Sequence, residues 1–344
     1  MNANLESEIL KLNPSQQEAV NAIEGPVLVV AGPGTGKTQV LSFRIANILS
    51  TTDAAANNIL CLTFTESGVA AMRKRLLKLI GKEALYVRIH TFHSFCNEVI
   101  LSHPENFSFA KELTQLDDLN RIKIIRLILD ELSSEQELTI VPFYDKYTYQ
   151  KNILDNIQAL KREGVSAETL ENICKETIAD LEANPDINSR TGKPKKDYTD
   201  KLKLYKKNLE LAMVYKKYSE VLLEKGFYDY EDMILFVIDK FKKDDELLAE
   251  YQEQFLYILV DEYQDTNGSQ NELLKLFAFD KSPNIFAVGD DDQAIYRFQG
   301  ANVENLLFFE KQFENVTTIS LTTNYRSSQH ILDLSSSLID NNKA

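Results

Sequence analysis

A run of seven residues combines glycines with a lysine and a threonine in the pattern GxxxxGK[ST]: Gly32, Pro33, Gly34, Thr35, Gly36, Lys37 and Thr38. It follows an apolar stretch, residues 27–31, and precedes an amphipathic one, residues 40–49, as a loop between a buried strand and a helix does. Glycines let several backbone N–H groups converge on a phosphate group beside the start of a helix. In such a loop Lys37 contacts the β- and γ-phosphates and the Thr38 hydroxyl binds Mg²⁺. The spacing therefore predicts a nucleotide-binding loop.

A second group of reactive side chains follows the apolar stretch 255–260. Asp261 and Glu262 come directly after it, in the sequence Asp261-Glu262-Tyr263-Gln264-Asp265. We expect this strand beside the strand of the loop, with Asp261 holding Mg²⁺. Glu262 is placed to take a proton from an attacking water. A nucleotide kinase does not need this second carboxylate, and the sequence lacks the NKxD segment with which GTPases read guanine. The predicted reaction is therefore hydrolysis of ATP.

These side chains need a sheet to position them. Strand-like apolar runs alternate with helical patterns, and further strands are predicted at 59–64, 87–91, 285–289 and 316–321. Such alternation predicts an α/β fold with a parallel sheet covered on both faces. After about residue 100 the apolar spacing becomes helical, with almost no strand pattern until about residue 226. We expect one α/β domain, residues 1–100 and 226–315, interrupted by a mostly helical insertion, residues 101–225.

The composition narrows the class of protein. The 344 residues carry 38 Lys and Arg against 52 Asp and Glu, a net charge of −14. This balance argues against binding nucleic acid by bulk charge but allows a local basic surface, for which residues 66–98 and 190–225 have an excess of Lys and Arg. Three cysteines without CxxC spacing and four histidines argue against a disulfide framework and a zinc site. With no signal peptide pattern and no long apolar run, we expect a cytoplasmic protein without a membrane partner.

An ordered series of motifs across residues 12 to about 330 resembles the UvrD/Rep/PcrA-like superfamily 1 DNA helicases. Besides the glycine-rich loop, the series contains the family's Q motif, DExQDT box, motif III and motif IV, at Leu12–Val20, Asp261–Thr266, Val288–Phe298 and Asn324–Ser327. Five motifs in the family's order make this resemblance specific. It implies a RecA-like P-loop NTPase sheet with a helical inserted subdomain. It also implies ATP-dependent translocation on DNA with 3′→5′ polarity, with ATP and Mg²⁺ bound.

The resemblance implies roles for residues around the nucleotide. Gln16 matches the family position that reads the adenine edge, and Tyr325 matches the position that stacks on the base. Gln293 matches the residue that senses the γ-phosphate, and Arg326 matches one that stabilises transition-state charge on that group. A surface helix start after a strand is the alternative for Tyr325 and Arg326. The expected catalytic set is Lys37, Asp261, Glu262, Gln293 and Arg326.

DNA contacts are expected at the carboxyl ends of strands, where open α/β sheets bind ligands. The segments that resemble motifs Ia, Ib and III supply the candidates: Thr63, Phe64, Thr91, Phe92, His93, Tyr296 and Phe298. Aromatic faces at Phe64 and Phe298 stack on bases of any identity, which suits a motor on single-stranded DNA and on junctions of single- and double-stranded DNA. Phe92 suits a core position equally well.

Some positions depart from the family pattern. Gln39 stands where the family usually has an arginine beside the base, and Gln299 stands where motif III usually has an arginine. Residues 316–344 are expected to begin a second RecA-like domain, so we expect the N-terminal piece of a longer helicase that is weak or inactive alone. Two other functions stay open: the motor of a RecB/AddA-like helicase–nuclease, and a non-unwinding, ATP-regulated DNA-binding module.

Overall fold

The computed structural model describes most of the chain: residues 3–107, 113–135, 138–141, 144–187, 194–278, 283–290 and 305–340. The chain divides into two compact units. Residues 1–99 and 237–344 form the first, here called the sheet unit, and residues 100–236 form the second, the helical unit. The predicted site residues Gln293, Tyr296 and Phe298 lie outside the described residues. None of the described helices has the length and apolar character that crossing a membrane requires.

The strands, in chain order, are β1 (Val27–Ala31), β2 (Ile59–Thr63), β3 (Arg88–Thr91), β4 (Thr114–Gln115), β5 (Phe227–Tyr228), β6 (Tyr257–Val260), β7 (Ile285–Gly289) and β8 (Thr317–Leu321). The helices are α1 (Ala3–Ile9), α2 (Pro14–Asn21), α3 (Lys37–Thr51), α4 (Glu66–Ile80), α5 (Phe92–Ser102), α6 (Asp118–Glu135), α7 (Gln150–Arg162), α8 (Ala167–Ala183), α9 (Lys196–Glu224), α10 (Asp232–Lys243), α11 (Asp245–Gln254), α12 (Gly268–Phe277), α13 (Asn305–Gln312) and α14 (Gln329–Asp340).

The strands of the sheet unit form one parallel sheet in the order β3-β2-β6-β7-β1-β8. Their carboxyl ends lie along one edge, where the loops after β1, β6 and β7 emerge. The predicted α/β fold with a parallel sheet is thereby confirmed. The expectation that β6 lies directly beside β1 is wrong, because β7 lies between them. With strands about 4.8 Å apart, β1 and β6 are about 10 Å from each other, a gap that long side chains can cross.

β8 extends the same sheet beyond β1. Val27 of β1 pairs with Phe286 of β7 on one side and with Thr317 of β8 on the other. Ile319 and Leu321 of β8 are buried in the core of the sheet unit, and the residues between and before them are exposed. The first strand of residues 316–344 therefore belongs to this sheet, whereas the sequence predicts the start of a separate domain there.

α2 is fixed at both ends. Gln16 N donates to Asn13 Oδ1 at 2.8 Å and Asn13 N donates to Gln16 Oε1 at 3.2 Å, a reciprocal cap that closes the first turn behind Pro14. Toward the other end, the buried guanidinium of Arg44 on α3 donates to the carbonyl oxygens of Ala19, Ala22 and Ile23. These bonds satisfy carbonyl groups that a helix end leaves unpaired. Gln16 consequently projects from a helix that is held to α3.

The helical unit has its own apolar core, to which α6, α7 and α9 contribute most of the buried side chains. This confirms the mostly helical inserted subdomain, with bounds of 100–236 where the sequence predicts 101–225. Beside this core lies a buried charged group: Lys161 Nζ is 2.8 Å from the carboxylates of both Asp229 and Asp232. The hydroxyl of Tyr218 donates to Asp229 at 3.2 Å.

Candidate functional site

The glycine-rich run forms a loop between β1 and α3, as its spacing predicts. Gly34 and Gly36 have φ values of 73° and 95°, in the left-handed region that favours glycine. A Cβ atom on Gly34 would lie 2.6 Å from Arg326 Cβ, and one on Gly36 would lie 2.9 Å from Gln16 Nε2. Both glycines are therefore required by backbone conformation and by the close approach of other segments.

Residues 324–326 lie against this loop. Tyr325 N donates to Gly34 O at 2.9 Å, and Asn324 Nδ2 donates to Pro33 O. Asn324 Oδ1 accepts from the backbone N–H of Arg326 at 2.8 Å. Although 291 residues separate Asn324 from Pro33, these bonds bring Tyr325 and Arg326 to the loop.

Gln16 and Tyr325, the two residues predicted to contact adenine, lie at the same site. Gln16 is 4% exposed, and its Nε2 donates to Thr35 O at 2.8 Å, so α2 is bonded to the loop. Asn13 Nδ2 donates to the Tyr325 hydroxyl at 2.8 Å, and this ring is 62% exposed. The start of α2, the loop and residues 324–326 thus form a connected set of walls.

The acidic pair after β6 faces the loop. Lys37 Nζ lies 3.0 Å from Glu262 Oε2. Asp261 is buried, and its backbone N–H donates to Leu62 O of β2 at 2.9 Å. Glu262 has φ 52° and ψ 46°, a left-handed conformation that costs a residue with a side chain on the order of 1–2 kcal/mol and that clusters at functional sites. The strained turn directs the Glu262 carboxylate to Lys37.

Two buried carboxyl groups of this turn have raised pKa values. The pKa of Asp261 is raised to about 7, mainly by burial and also by the neighbouring charge of Glu262, while Lys37 opposes the rise. The pKa of Asp265 is raised to about 6, mainly by burial and also by the charge of Glu262. Asp265 Oδ1 has no hydrogen-bond partner in the described part of the chain. A buried carboxylate whose charge is not fully offset by hydrogen bonds or nearby positive charges is suited to binding a cation.

The same residues fit the Mg²⁺ ion that the resemblance implies. Mg²⁺ prefers oxygen ligands, keeps several of its waters and takes one or two carboxylates together with phosphate oxygens. Asp261 and the hydroxyl of Thr38, at the first turn of α3, supply two such ligands. The described residues contain no cluster of three or more His, Cys, Asp or Glu side chains suited to a metal.

We expect Asp261→Asn to stabilise the protein at pH 8 in the absence of Mg²⁺ and nucleotide. Between about pH 4 and 7 the unfolded carboxyl group ionises while the buried one stays protonated, so stability of the wild type falls as the pH rises. Asparagine removes this loss, which at about 1.4 kcal/mol per pKa unit reaches at most about 4 kcal/mol above pH 7. Urea unfolding at pH 8 and near pH 4 measures the difference, with the exposed Asp53→Asn as control. An equal gain at both pH values would contradict the explanation.

The loop, α2 and the acidic turn enclose a cavity of about 490 Å³, a volume in the range of small-molecule sites. Its walls include Gln16, Lys37, Thr38, Glu262, Tyr325 and Arg326. The structure therefore brings the predicted phosphate-binding residues, one of the two carboxylates and the predicted base-contacting residues together around one space.

The sequence matches a known protein family over most of its length. A family model described as the UvrD/REP helicase N-terminal domain matches residues 12–314. The chain belongs to the UvrD/REP helicase family. A relative named ATP-dependent DNA helicase PcrA, from Staphylococcus aureus, is 34% identical over 332 residues, which are 96% of this chain and 40% of the relative. A protein of the same name from Staphylococcus epidermidis is 34% identical over 335 residues, which are 97% of this chain and 40% of the relative. The UvrD/REP chain described here thus spans about 40% of the length of these relatives.

The residues predicted to contact DNA differ in exposure. Thr63 and Thr91 end β2 and β3 and are buried, and Thr91 Oγ1 donates to Glu66 Oε1 at 3.0 Å. Phe64 and His93 are half-buried. Phe92 is 2% exposed, so its ring has no free face on which a base could stack. Of the two positions that the sequence allowed for Phe92, the structure shows the core position. Of the two described phenylalanines in this set, Phe64 is the one that stays partly exposed in this UvrD/REP chain.

Other residues of the site were not predicted from the sequence. Asn13 and Asn324 bond the walls to one another, as described above, and Arg75 of α4 lines the cavity together with Gln39. The guanidinium of Arg75 has no hydrogen bond or ion pair within the described residues. The excess of Lys and Arg in residues 66–98 was a signal for this cation, although it pointed to DNA rather than to the nucleotide cavity.

Proposed function

We propose that this chain binds ATP with Mg²⁺ and hydrolyses it as the motor of an ATP-dependent DNA helicase or translocase. The contact of 3.0 Å between Lys37 and Glu262 carries the proposal, because it brings the phosphate-binding loop and the proposed base to one cavity. The relatives cited above are named ATP-dependent DNA helicases, which supports the same activity. The 3′→5′ polarity is proposed from the resemblance alone.

Lys37 and Glu262 are partners in the structure, and the proposal gives each a separate task. Phosphate oxygens placed at the loop compete for the Lys37 ammonium group, because charged donors and phosphates form strong hydrogen bonds. Glu262 then loses its ion pair and accepts a proton from the attacking water. Thr38 and Asp261 would hold Mg²⁺, which would supply positive charge to offset the charge on the transferred phosphoryl group.

Residues on the rim of the cavity complete the proposed nucleotide site. Tyr325 offers an exposed ring on the same side as Gln16, which suits contact with the adenine base. Arg326 lines the cavity and supplies a cation for the γ-phosphate, a role that accelerates phosphoryl transfer in related chemistry. Gln293 remains part of the proposal on the resemblance alone.

Single-stranded DNA and its junctions with duplex DNA are the proposed partners. Phe64 and His93, next to the carboxyl ends of β2 and β3, form the described part of the proposed DNA surface, and the buried Thr63 and Thr91 support those strand ends. Stacking on Phe64 is worth about 1–3 kcal/mol per base and does not depend on base identity. Tyr296 and Phe298 stay in the proposal from the resemblance, and Phe92 does not, because its ring is buried.

For the 344-residue chain by itself we propose weak nucleotide binding, slow hydrolysis and no strand separation, since the relatives are much longer. The sheet unit is the proposed ATP-binding domain and the helical unit the proposed insertion. The cysteines of the described residues, Cys61, Cys96 and Cys174, are free and buried, which supports a proposed location in the reducing cytoplasm.

ATP hydrolysis with and without single-stranded DNA tests the proposal. In a full-length protein that contains this chain, we expect DNA to stimulate hydrolysis by the wild type, and Lys37→Ala to reduce both hydrolysis and binding of a fluorescent ATP analogue to background. The control is Lys275→Ala on α12, which removes an exposed positive charge in the same unit. Hydrolysis retained by Lys37→Ala would overturn the assignment. Binding of ATP and DNA without any hydrolysis would favour the ATP-regulated DNA-binding module instead.

A further inference from the structure

Gln264 connects the acidic turn to the end of β7. Its Nε2 donates to Glu262 Oε2 at 2.9 Å, and its Oε1 accepts from the backbone N–H of Asp290 at 3.0 Å. The exposed fractions of Gln264 and Asp290 are 2% and 1%. One buried amide group thus spans the ends of two neighbouring strands, 26 residues apart in the chain.

The chemistry of these partners leaves the amide one orientation. An ionised carboxylate accepts hydrogen bonds and a backbone N–H donates one, so the NH₂ group of Gln264 has to face Glu262 and its oxygen has to face Asp290. Reversing the amide would leave buried polar groups unpaired, at a cost of about 1–3 kcal/mol for each. The Gln264 amide thereby fixes the position of the Glu262 carboxylate relative to the end of β7.

Glu262 Oε2 accepts from two side chains, Lys37 at 3.0 Å and Gln264 at 2.9 Å. Lys37 is the group that turns to phosphate oxygens in the proposed function. Gln264 is held by the sheet edge, so its bond to Glu262 persists when Lys37 leaves. The Glu262 side chain is 36% exposed and projects from a strained turn, so once Lys37 has left, the bond to Gln264 is the side-chain contact that holds it among the described residues.

We propose that Gln264 is a positioning residue for the hydrolytic step, because it ties the Glu262 carboxylate to the end of β7 in the orientation that accepts the proton. This role rests on the proposed function. In the step, the water oxygen bonds to the γ-phosphorus, its proton passes to Glu262, and the bond from the γ-phosphorus to the leaving ADP oxygen breaks. Gln264 exchanges no proton and directs the acceptor.

Two substitutions separate positioning from simple structural support. Gln264→Glu keeps an oxygen for the Asp290 N–H and, when ionised, does not donate to Glu262, and Gln264→Met keeps the size of the side chain and loses both bonds. The matched control is Gln252 on α11, a partly buried glutamine of the same unit whose Nε2 donates to Leu276 O at 2.6 Å. Its variants Gln252→Glu and Gln252→Met report the effect of losing a glutamine bond far from the acidic turn.

We expect both Gln264 variants to lower the single-turnover rate of ATP hydrolysis at saturating ATP by about 10- to 100-fold, since small misplacement of a reacting group has effects of this size. Affinity for a fluorescent ATP analogue should stay within about twofold of wild type, and the Gln252 variants should hydrolyse normally. Added to Glu262→Gln, either Gln264 substitution should cause no further loss of rate, because both act through one carboxylate.

A wild-type rate in Gln264→Glu would overturn the positioning role, since a structural role needs only the bond to Asp290. Losses that multiply in the double variants would overturn it as well. The proposed function is tested separately by Lys37→Ala and Glu262→Gln in the same assay. If these two variants lose hydrolysis and Gln264→Glu does not, the positioning role alone fails. If these two variants hydrolyse ATP normally, or if the wild type does not hydrolyse it, the proposed function fails and the positioning role fails with it.

Discussion

Replacing Glu262 by glutamine is expected to lower the rate of ATP hydrolysis by about 10²- to 10⁴-fold, the contribution of a general base. Glutamine keeps the size of the side chain and one acceptor oxygen but does not accept the proton of the attacking water. Nucleotide affinity should stay equal or rise, because Lys37 loses the ion-pair partner that competes with phosphate. Single-turnover hydrolysis of radiolabelled ATP and titration with a fluorescent analogue measure the two quantities separately.

The control for this variant is Glu253→Gln on α11, which neutralises an exposed carboxylate of the same unit away from the cavity. It should leave both rate and affinity unchanged. Hydrolysis at the wild-type rate in Glu262→Gln would show that Glu262 is not the base. A parallel loss of rate and affinity would show that the Lys37 contact serves binding, and that the base lies elsewhere.

The two segments that face each other at this site were predictable because each is encoded locally. The loop that ends at Lys37 and Thr38 is recognisable from glycine spacing between a strand and a helix, and the structure forms that loop. Asp261 and Glu262 were recognisable from their place after an apolar run. In each case the residues that define the chemistry are neighbours in sequence, so their spacing alone carries the information.

The contacts that assemble the walls were not predictable from local pattern. Asn13 and Tyr325 are 312 residues apart, and their hydrogen bond depends on where α2 and the segment after β8 meet in the folded chain. The insertion of β7 between β1 and β6 and the addition of β8 beside β1 are choices of strand order, which apolar periodicity does not specify. Gln264 was readable as part of a motif, but its two bonds became evident only from that strand order.

Burial is the other quantity that the sequence left open. Phe64 and Phe92 each follow a strand and have the same side chain, yet the first is half-buried and the second is 2% exposed. α5 begins at Phe92 itself, whereas α4 begins at Glu66, two positions after Phe64. A difference of two residues in where a helix begins thus changes how far a ring at the strand end is exposed.

The charged cluster of the helical unit combines groups that are rarely fully buried unless paired. Lys161 is 1% exposed and Asp229 is 0% exposed, with their charged atoms 2.8 Å apart. Burial pushes the pKa of Lys161 down, but Asp232 and Asp229 outweigh it and the pKa is raised. Arg121 reaches only one oxygen of Asp229, at 3.3 Å, so Lys161 is the main cation for both carboxylates.

We expect Lys161→Met to destabilise the helical unit by about 3–5 kcal/mol, because the substitution leaves two buried carboxylates without their cation. Urea unfolding followed by far-ultraviolet circular dichroism measures the loss. Because the chain has two units, the urea transition alone does not show which unit is destabilised, and hydrogen exchange locates the effect. Exchange should accelerate first in α7 and α9, which carry Lys161 and Tyr218. The matched control is Lys151→Met, an exposed lysine of the same helix, which should change stability by less than about 0.5 kcal/mol.

The triple variant Lys161→Met, Asp229→Asn, Asp232→Asn separates the two contributions to this loss. If the cost arises from uncompensated buried charge, neutral amides remove it, and the triple variant should regain most of the stability that Lys161→Met loses. If the cost arises from packing of the lysine stem, the amides restore nothing, because methionine fills the same space in both variants. Unfolding of Lys161→Met at the wild-type urea concentration would instead show that neither carboxylate needs the lysine, with Arg121 and Tyr218 compensating Asp229.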